Sequence, residues 1–470
     1  MTPETYDQLV SEVRRYSSRE LLALFARETS SIAHDLVFGG DKLQAMRRKP
    51  WTYARLARIA LLAGSDLHRR KVVAGVVERL RDADFELSPT DDVDPSMMLN
   101  RLASEQYLVQ QSPRIELSRA WLLFGKETEN FVPLDWTPVL GCGLDRYIRT
   151  LFALYVLLIQ QGGRFQLAQL QDPELLHVIE WASSPSEFQA VLAEMTCTSD
   201  SARLAAGIVS RHGLRIPEYG FNPLVSKPFI DVGAGNLVAP CVPLVILAGY
   251  SSNLYYRGLR HWGTSFTDEL GLKYQWYVGE LLAALKPRGL LPEVVFNSGQ
   301  DRSVDWIVVL AECVLLVEVK SARITVGALN EETAYQEMLD RLRHGVEQIE
   351  TTEALVASGD KHFAHIPRDR PHFGMVVTSE DLWFAGFEEG LDGHDSQVPF
   401  EVLSVRDLEG VVSAWGHDDG SKVVEYFGTR VRGQSTMLSV LAAEGIPREG
   451  IEMLDDAWSD FGFVTQREVS

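Results

Sequence analysis

Two short apolar stretches in the second half of the chain indicate its fold. Residues 303–309 read Ser-Val-Asp-Trp-Ile-Val-Val, and residues 315–321 read Leu-Leu-Val-Glu-Val-Lys-Ser. Each has the apolar, β-branched character of a buried strand. The gap between them leaves room for one hairpin at 311–312. Adjacent antiparallel strands would therefore bring Asp305 next to Glu318.

The second stretch carries charges where a buried strand rarely has them. Because side chains alternate across a strand, Leu316, Glu318 and Lys320 project from one face. Charged residues are seldom placed on a strand covered on both faces unless they have partners. Two carboxylates suit Mg²⁺, which keeps positions for water and substrate phosphate. The group outlines a site for phosphodiester hydrolysis, in which Lys320 orients the attacking water or stabilises charge.

The surrounding elements follow a regular order. Hydrophobic periodicity predicts a helix at 267–285, strands at 292–296, 304–310 and 314–320, a helix from 328 to about 354, strands at 373–378 and 400–405, and a short helix from 406. This α-β-β-β-α-β order, with Asp305 and the run Glu318-Val319-Lys320, resembles the PD-(D/E)xK nuclease superfamily and its restriction-endonuclease-like fold. The two stretches most resemble type IV restriction (Mrr-like) and phage-defence nuclease domains.

The resemblance covers roughly a third of the chain, about 265–415. It implies that Asp305 and Glu318 bind Mg²⁺, which Mn²⁺ can replace, and that Lys320 serves the hydrolytic water. It further implies a metal-dependent DNA endonuclease of anti-phage defence or restriction. A nuclease of DNA repair or recombination would share these residues. A catalytically inactive nucleic-acid-binding sensor that retains the fold is the other alternative.

Two glutamines extend the candidate catalytic set. Many relatives carry a glutamate on the first helix, within Gly-x-x-Phe-Glu-x-Tyr-Val, and the matching run at 271–278 has Gln275 in its place. A neutral amide can still bind a metal or orient a water. On the long helix, Gln348 matches a position at which relatives often place Gln or Lys. Arg341 and His344 share its helix face, but a polar surface helix explains these residues almost as well.

The rest of the chain predicts four regions. Helical spacing of apolar residues indicates a helical recognition or regulatory region, and short strand-like pieces follow it. We expect helices at 1–210, a β-rich connector at 211–263, the nuclease domain at 264–415 and a helical appendage with an oligomerisation role at 416–470. Within the first region, a helix followed by strands at 107–109 and 115–117 resembles a winged helix, with a plain hairpin as the alternative.

Three further patterns invite a functional interpretation. The basic residues of 47–71 form either a solvated helix face or a phosphate-binding face. The run Gly233-Ala234-Gly235-Asn236 could suggest a phosphate loop, but the absence of a third glycine and a following helix favours a hairpin turn. His362, His365 and His372 could suggest zinc, but no cysteine completes the set, which favours a solvated loop.

Composition bounds the remaining possibilities. The chain has 470 residues, 46% of them hydrophobic, and a formal net charge of −20, as expected for two or three folded domains. This charge argues against coating of nucleic acid by bulk electrostatics, yet it leaves room for a locally basic cleft. Scattered cysteines, no signal-peptide pattern and no apolar span predict a cytoplasmic protein without membrane contact. Because no Walker-type phosphate loop occurs, a partner protein would have to supply any ATPase.

Overall fold

The computed structural model of the chain has a mixed α/β fold with a helical N-terminal region. It describes residues 5–38, 48, 50–63, 71–72, 74–86, 112–210, 222–296, 301–321, 332–380, 396–416, 419–429, 437, 440 and 450–463. The chain forms two compact units, one of residues 1–261 with 460–470 and one of residues 262–459. Across the described ranges, every helix is too short or too polar to cross a membrane.

The first unit is mainly helical, as predicted. Its α-helices are α1 (Tyr6–Val13), α2 (Ser18–Val37), α3 (Pro50–Ala63), α4 (Ala74–Glu86), α5 (Pro113–Phe124), α6 (Thr137–Leu140), α7 (Leu144–Gln160), α8 (Pro173–Ile179), α9 (Pro185–Glu194), α10 (Ser199–Ser210), α11 (Pro243–Leu247) and α12 (Ser251–Trp262). Short 3-10 helices span Leu167–Gln171 and Pro223–Val225. Its strands are β1 (Arg164–Gln166), β2 (Thr196–Thr198), β3 (Phe229–Asp231) and β4 (Asn236–Val238).

The four short strands form one sheet of order β1-β4-β3-β2. Strands β3 and β4 pair antiparallel, and the turn between them has positive φ angles of 101° at Gly233 and 71° at Gly235. The predicted hairpin turn is therefore confirmed. Because β1 and β2 come from the preceding helical region, the expected connector at 211–263 supplies two strands to a sheet of the first unit.

The prediction of a wing strand at 115–117 is wrong, because these residues lie in helix α5. Pro113 occupies the start of that helix, where the missing N–H has no cost. Glu116 and Arg119 then form a buried ion pair one turn apart, at 2.7 Å. Residues 107–109 lie outside the described residues, so the winged-helix interpretation loses its second strand.

The basic run of 47–71 is mostly neither a solvated nor a phosphate-binding face where it is described, although Lys71 is exposed. Arg55 is buried and donates from Nε to Asp84 Oδ1 at 2.6 Å. Arg58 is 5% exposed, and Arg48 donates to Asp35 at 3.2 Å. Helix α3 is buried along most of its length, so its arginines serve the interior of the first unit. Positions 47, 49, 69 and 70 lie outside the described residues.

The second unit contains a five-stranded sheet. Its helices are α13 (Thr264–Ala283), α14 (Glu332–Ser358), α15 (Val405–Trp415), α16 (Ser421–Thr429) and α17 (Glu452–Ser459). Its strands are β5 (Gly289–Pro292), β6 (Val295–Phe296), β7 (Asp301–Arg302), β8 (Trp306–Val309), β9 (Val314–Lys320), β10 (His372–Thr378) and β11 (Phe400–Ser404). The sheet order is β11-β10-β9-β8-β5, and β6 pairs only with β7.

The sheet changes direction at its centre. Strands β5, β8 and β9 pair antiparallel as a meander, whereas β9, β10 and β11 pair parallel. The predicted order of one helix, three strands, a long helix and a strand is present. The first strand begins earlier than predicted and ends at Pro292, because proline cannot donate to the ladder. Of the remaining predicted residues, 295–296 form β6 and 293–294 belong to no strand.

Strand β9 is covered on both faces, as its sequence indicates. Leu316 belongs to the core that Leu342, Val346 and Ile349 of helix α14 complete on one face. Leu315 lies on the other face, where it lines a small cavity together with residues of α13 and α15. Because both faces of the strand are covered, Glu318 is buried, with 3% of the residue exposed.

The end of the chain returns to the first unit. The predicted helical appendage contains α16 and α17, while 430–436, 438–439 and 441–449 lie outside the described residues. Phe461 packs against Trp121 with ring centroids 5.7 Å apart, and Asp460 accepts a hydrogen bond from Trp121 Nε1 at 3.0 Å. The appendage at 416–470 thus divides between the two units.

We expect Asp84→Ala to destabilise the first unit by about 3–5 kcal/mol, because it leaves the Arg55 guanidinium buried and uncompensated. The measurement is urea denaturation followed by circular dichroism. Asp82→Ala is the matched control, since Asp82 forms an exposed pair with Arg81 that is worth less than about 1 kcal/mol. Equal shifts of the two midpoints would contradict a structural role for the buried pair.

Candidate active site

The two predicted carboxylates lie side by side at the start of β8 and near the end of β9. Trp306 pairs with Val317, so Asp305 and Glu318 occupy the next positions along the two strands. The Val319 N–H donates to Asp305 Oδ2 at 2.7 Å, and the Asp305 N–H donates to Glu318 Oε2 at 3.3 Å. Each carboxylate is thus oriented by the backbone of the opposite strand.

Lys320 projects from the same strand toward helix α14. Its Nζ donates to Glu318 Oε1 at 2.6 Å and to Gln348 Oε1 at 2.5 Å. The side chain of Lys320 is 18% exposed and that of Glu318 is 4% exposed. The ammonium is therefore held by one carboxylate and one amide, and it remains accessible from one side.

Gln275 reaches the pair from helix α13. Its Nε2 donates to Asp305 Oδ1 at 2.9 Å. The indole Nε1 of Trp306 donates to the backbone oxygen of Gln275 at 2.9 Å. The helix can approach because Gly279 lies against the indole, where a Cβ would come within 2.3 Å of the Trp306 ring. A glycine and a tryptophan therefore fix the position of the glutamine.

Burial governs the charge state of the carboxylate pair. Removal from water raises the pKa of Asp305 to about 6, although the Val319 N–H and the Lys320 ammonium oppose this. Burial raises the pKa of Glu318 to about 7, and the neighbouring Asp305 charge adds to the effect. The two groups titrate as a pair. Two carboxylates and one ammonium leave an excess of negative charge that a cation would neutralise.

The donor set matches a hard divalent cation. Each of the four carboxylate oxygens accepts one hydrogen bond from the protein, which leaves a second lone pair on every oxygen. Oxygen ligands from one or two carboxylates are what Mg²⁺ takes from proteins. Over the residues that the structure describes, there is no cluster of three or more His, Cys, Asp or Glu side chains with metal-ligand spacing.

The structure therefore brings five predicted residues together, and it separates others from them. Arg341 and His344 are exposed on α14, and His344 lies 3.4 Å from Glu347. Of the three histidines predicted to lie in a solvated loop, His372 does not. His372 begins β10, where its buried ring contacts Glu353 and lies 2.7 Å from the backbone oxygen of Pro367. These two contacts hold the ring in place against helix α14 and the backbone of Pro367.

Four nearby residues were not identified from the sequence. The Glu293 charge raises the pKa of Asp305 and the Arg302 charge lowers it. Those two side chains pair with each other at 3.0 Å. Gly279 and Trp306 position Gln275, as described above. A glycine inside a helical pattern is a sequence signal for close packing, whereas the contacts of Glu293 have no signal in the pattern of residues.

Comparison with known proteins adds no relative. No family model, no curated protein and no solved structure matches the chain.

We expect the metal-free protein to lose stability as the pH rises from about 4 to about 7. Both carboxyl pKa values are higher in the folded state than the ordinary 3.8 and 4.5, so the folded state binds protons more tightly. The resulting stabilisation is complete below about pH 4 and is lost as the pH passes the raised values. The measurement is the melting temperature in EDTA between pH 4 and 8.

The variant Asp305→Asn/Glu318→Gln should have a weaker pH dependence than the wild type, because neither amide titrates. Asp301→Asn/Glu312→Gln is the matched control, since both of its carboxylates are exposed in the same unit. Parallel curves for the site variant and the wild type would mean that the pair is not perturbed.

Proposed function

We propose that this protein is a metal-dependent nuclease that hydrolyses phosphodiester bonds, with DNA as its substrate. The observation that carries the proposal is the group of Asp305, Glu318 and Lys320 on two paired strands, joined by hydrogen bonds. Glu318 is buried, and the other two are partly buried. Uncompensated buried charge is costly, so a purely structural role gives no reason to keep three ionisable groups here. Their resemblance to the PD-(D/E)xK superfamily supports the same chemistry.

Asp305 and Glu318 would hold Mg²⁺, with Mn²⁺ able to replace it. When bound, the ion would neutralise charge on the phosphate and make water easier to deprotonate. Gln275 already donates to Asp305 Oδ1, and it would keep that carboxylate oriented. The oxygen donors and the excess negative charge of the pair fit a hard cation better than a soft one.

Lys320 would act on the reacting groups directly. Its Nζ is held between Glu318 and Gln348, so the ammonium points to a fixed place beside the carboxylates. From there it can orient the attacking water and stabilise the negative charge that develops on the phosphate. Hydrolysis adds the water oxygen to phosphorus, breaks one P–O bond and transfers a proton to the leaving oxygen.

The charge distribution favours a second candidate, a non-catalytic sensor that retains the fold. Residues 262–459 contain 16 Lys and Arg against 34 Asp and Glu, which is −18 of the chain's net charge of −20. Such a unit repels a polyanion over most of its surface. Gln275, in place of the glutamate of many relatives, also favours this candidate. Both features are compatible with a nuclease whose other unit or partner recruits the substrate.

The proposed context is anti-phage defence or restriction, and it depends on the resemblance alone. We propose that the first unit recognises the substrate or a trigger, and that assembly into a homo-oligomer restrains activity. A partner protein would supply any ATPase. A repair or recombination nuclease would use the same residues and would differ in its preference for ends, flaps or junctions.

We expect purified protein to cut DNA with Mg²⁺ or Mn²⁺ and not with EDTA. Asp305→Ala and Lys320→Ala should each lower the rate by at least about a hundredfold, because each removes charge stabilisation in the transition state. The measurement compares supercoiled plasmid, linear duplex, single-stranded DNA and RNA. Asp301→Ala and Lys361→Ala are matched controls, since both side chains are exposed in the same unit.

Metal-dependent cutting that survives both site substitutions would place the chemistry elsewhere. If the wild type binds nucleic acid but cuts none of the four substrates, the sensor is the better description. Circular dichroism of each variant separates loss of activity from loss of folding.

We expect Gln275→Glu to tighten Mn²⁺ binding by about tenfold, which corresponds to about 1.4 kcal/mol. The substitution adds a carboxylate next to Asp305, so the site gains attraction for a cation. For the same reason the metal-free variant should melt at a lower temperature than the wild type. Titration calorimetry measures the affinity. Glu280→Gln, at an exposed position of the same helix, should change neither quantity.

A further inference from the structure

We propose that Gly345 is a positioning residue for Lys320. This glycine lies inside helix α14, one turn before Gln348. Its missing side chain leaves a slot in which the lysine stem lies, so that Nζ reaches both Glu318 and Gln348. The role of the slot in catalysis rests on the proposed nuclease function. The existence of the slot does not rest on it, because the packing distances alone define the slot.

The contacts at Gly345 define the slot. A Cβ at this position would lie 3.3 Å from Cε of Lys320 and 3.2 Å from Cγ1 of Val376. Both distances are shorter than ordinary contact between carbon atoms. Val376 is fully buried on β10 and cannot easily move away. The lysine stem is the more mobile of the two neighbours, so an added methyl group would displace it.

A second glycine keeps helix α14 close to the sheet. A Cβ at Gly374 would come within 2.9 Å of Cγ2 of Ile349 and within 2.9 Å of Cβ of Phe400. Gly374 and Gly345 therefore permit close approach from the strand side and from the helix side. Without that approach, Gln348 could not accept from Lys320 Nζ at 2.5 Å.

No backbone requirement explains a glycine at 345. Its φ is not positive, unlike the angles of the turn glycines in this chain. Glycine in a helix interior is less favourable than alanine. Stability of the helix alone would therefore favour alanine at this position, which leaves the close contacts with Lys320 and Val376 as the reason for glycine.

The test is Gly345→Ala, with Gly428→Ala as the matched control. Gly428 is also helical, and a Cβ there would meet nothing within 4 Å. Pulse labelling with acetic anhydride and mass spectrometry would measure the reactivity of Lys320, with exposed Lys361 as the internal reference. We expect Lys320 to react roughly tenfold faster in Gly345→Ala, the factor for one lost hydrogen bond to a charged group. Gly428→Ala should react as the wild type does.

The nuclease assay adds the catalytic readout. We expect kcat of Gly345→Ala to fall by about tenfold or more, because a small displacement of a catalytic group is costly. KM should change much less than kcat, because Asp305 keeps its own hydrogen bonds from Gln275 and Val319. Unchanged labelling of Lys320 would overturn the proposal whether or not the protein cuts DNA. Faster labelling with undiminished kcat would overturn it as well.

A double variant distinguishes displacement of Lys320 from a general packing defect. Val376→Ala removes both methyl groups that face Gly345, so Gly345→Ala/Val376→Ala should return the labelling rate and kcat toward the wild type. If the single variant were impaired only by disturbed packing, the second substitution would add its own defect. Further loss in the double variant would therefore contradict the slot.

Discussion

The buried contact between Asp305 and Glu318 is the constraint on which the second unit depends. Each carboxylate accepts an N–H from the opposite strand, so the pair is part of the ladder between β8 and β9. Removal from water raises the pKa of both carboxyl groups, and repulsion by the Asp305 charge raises the pKa of Glu318 further. Folding alone does not relieve that repulsion. The other groups at the site offset part of this negative charge but do not neutralise it.

Compensation comes from separate elements that must meet at one point. Lys320 supplies a positive charge from the end of β9, and helix α14 supplies the oxygen of Gln348 that orients it. Helix α13 supplies the Gln275 amide through a close contact with Trp306. None of these groups removes the second negative charge. Under the proposed function, a folded unit that keeps this imbalance at its centre would gain stability from a bound cation, and a phosphate could then approach a place that it would otherwise avoid.

The sequence predicted the parts of this arrangement that follow from short-range patterns. Alternation along 314–320 and the short gap before it were enough to bring Asp305 beside Glu318, because register and alternation are local properties. The wing at 115–117 failed because alternation over three residues cannot outweigh a proline at the start of a helix. The arginines of α3 were misinterpreted for a different reason, because their contacts are distant in the sequence. The partner of Arg55 is Asp84, which is 29 residues away in the chain, and such pairing has no local signal.

The uneven charge of the chain also bears on how such a site can work. With −18 on residues 262–459, the attraction for a nucleic acid cannot come from the bulk field of that unit. Under the proposed function, recruitment of the nucleic acid and its hydrolysis would depend on different physical features, one of longer range and one limited to a few ångströms. A cation at the carboxylate pair acts at the short range, where the low dielectric of a buried site makes its charge most effective. A substrate delivered by another surface would need only that local attraction to be held, and it would leave readily once cut because the rest of the unit repels it.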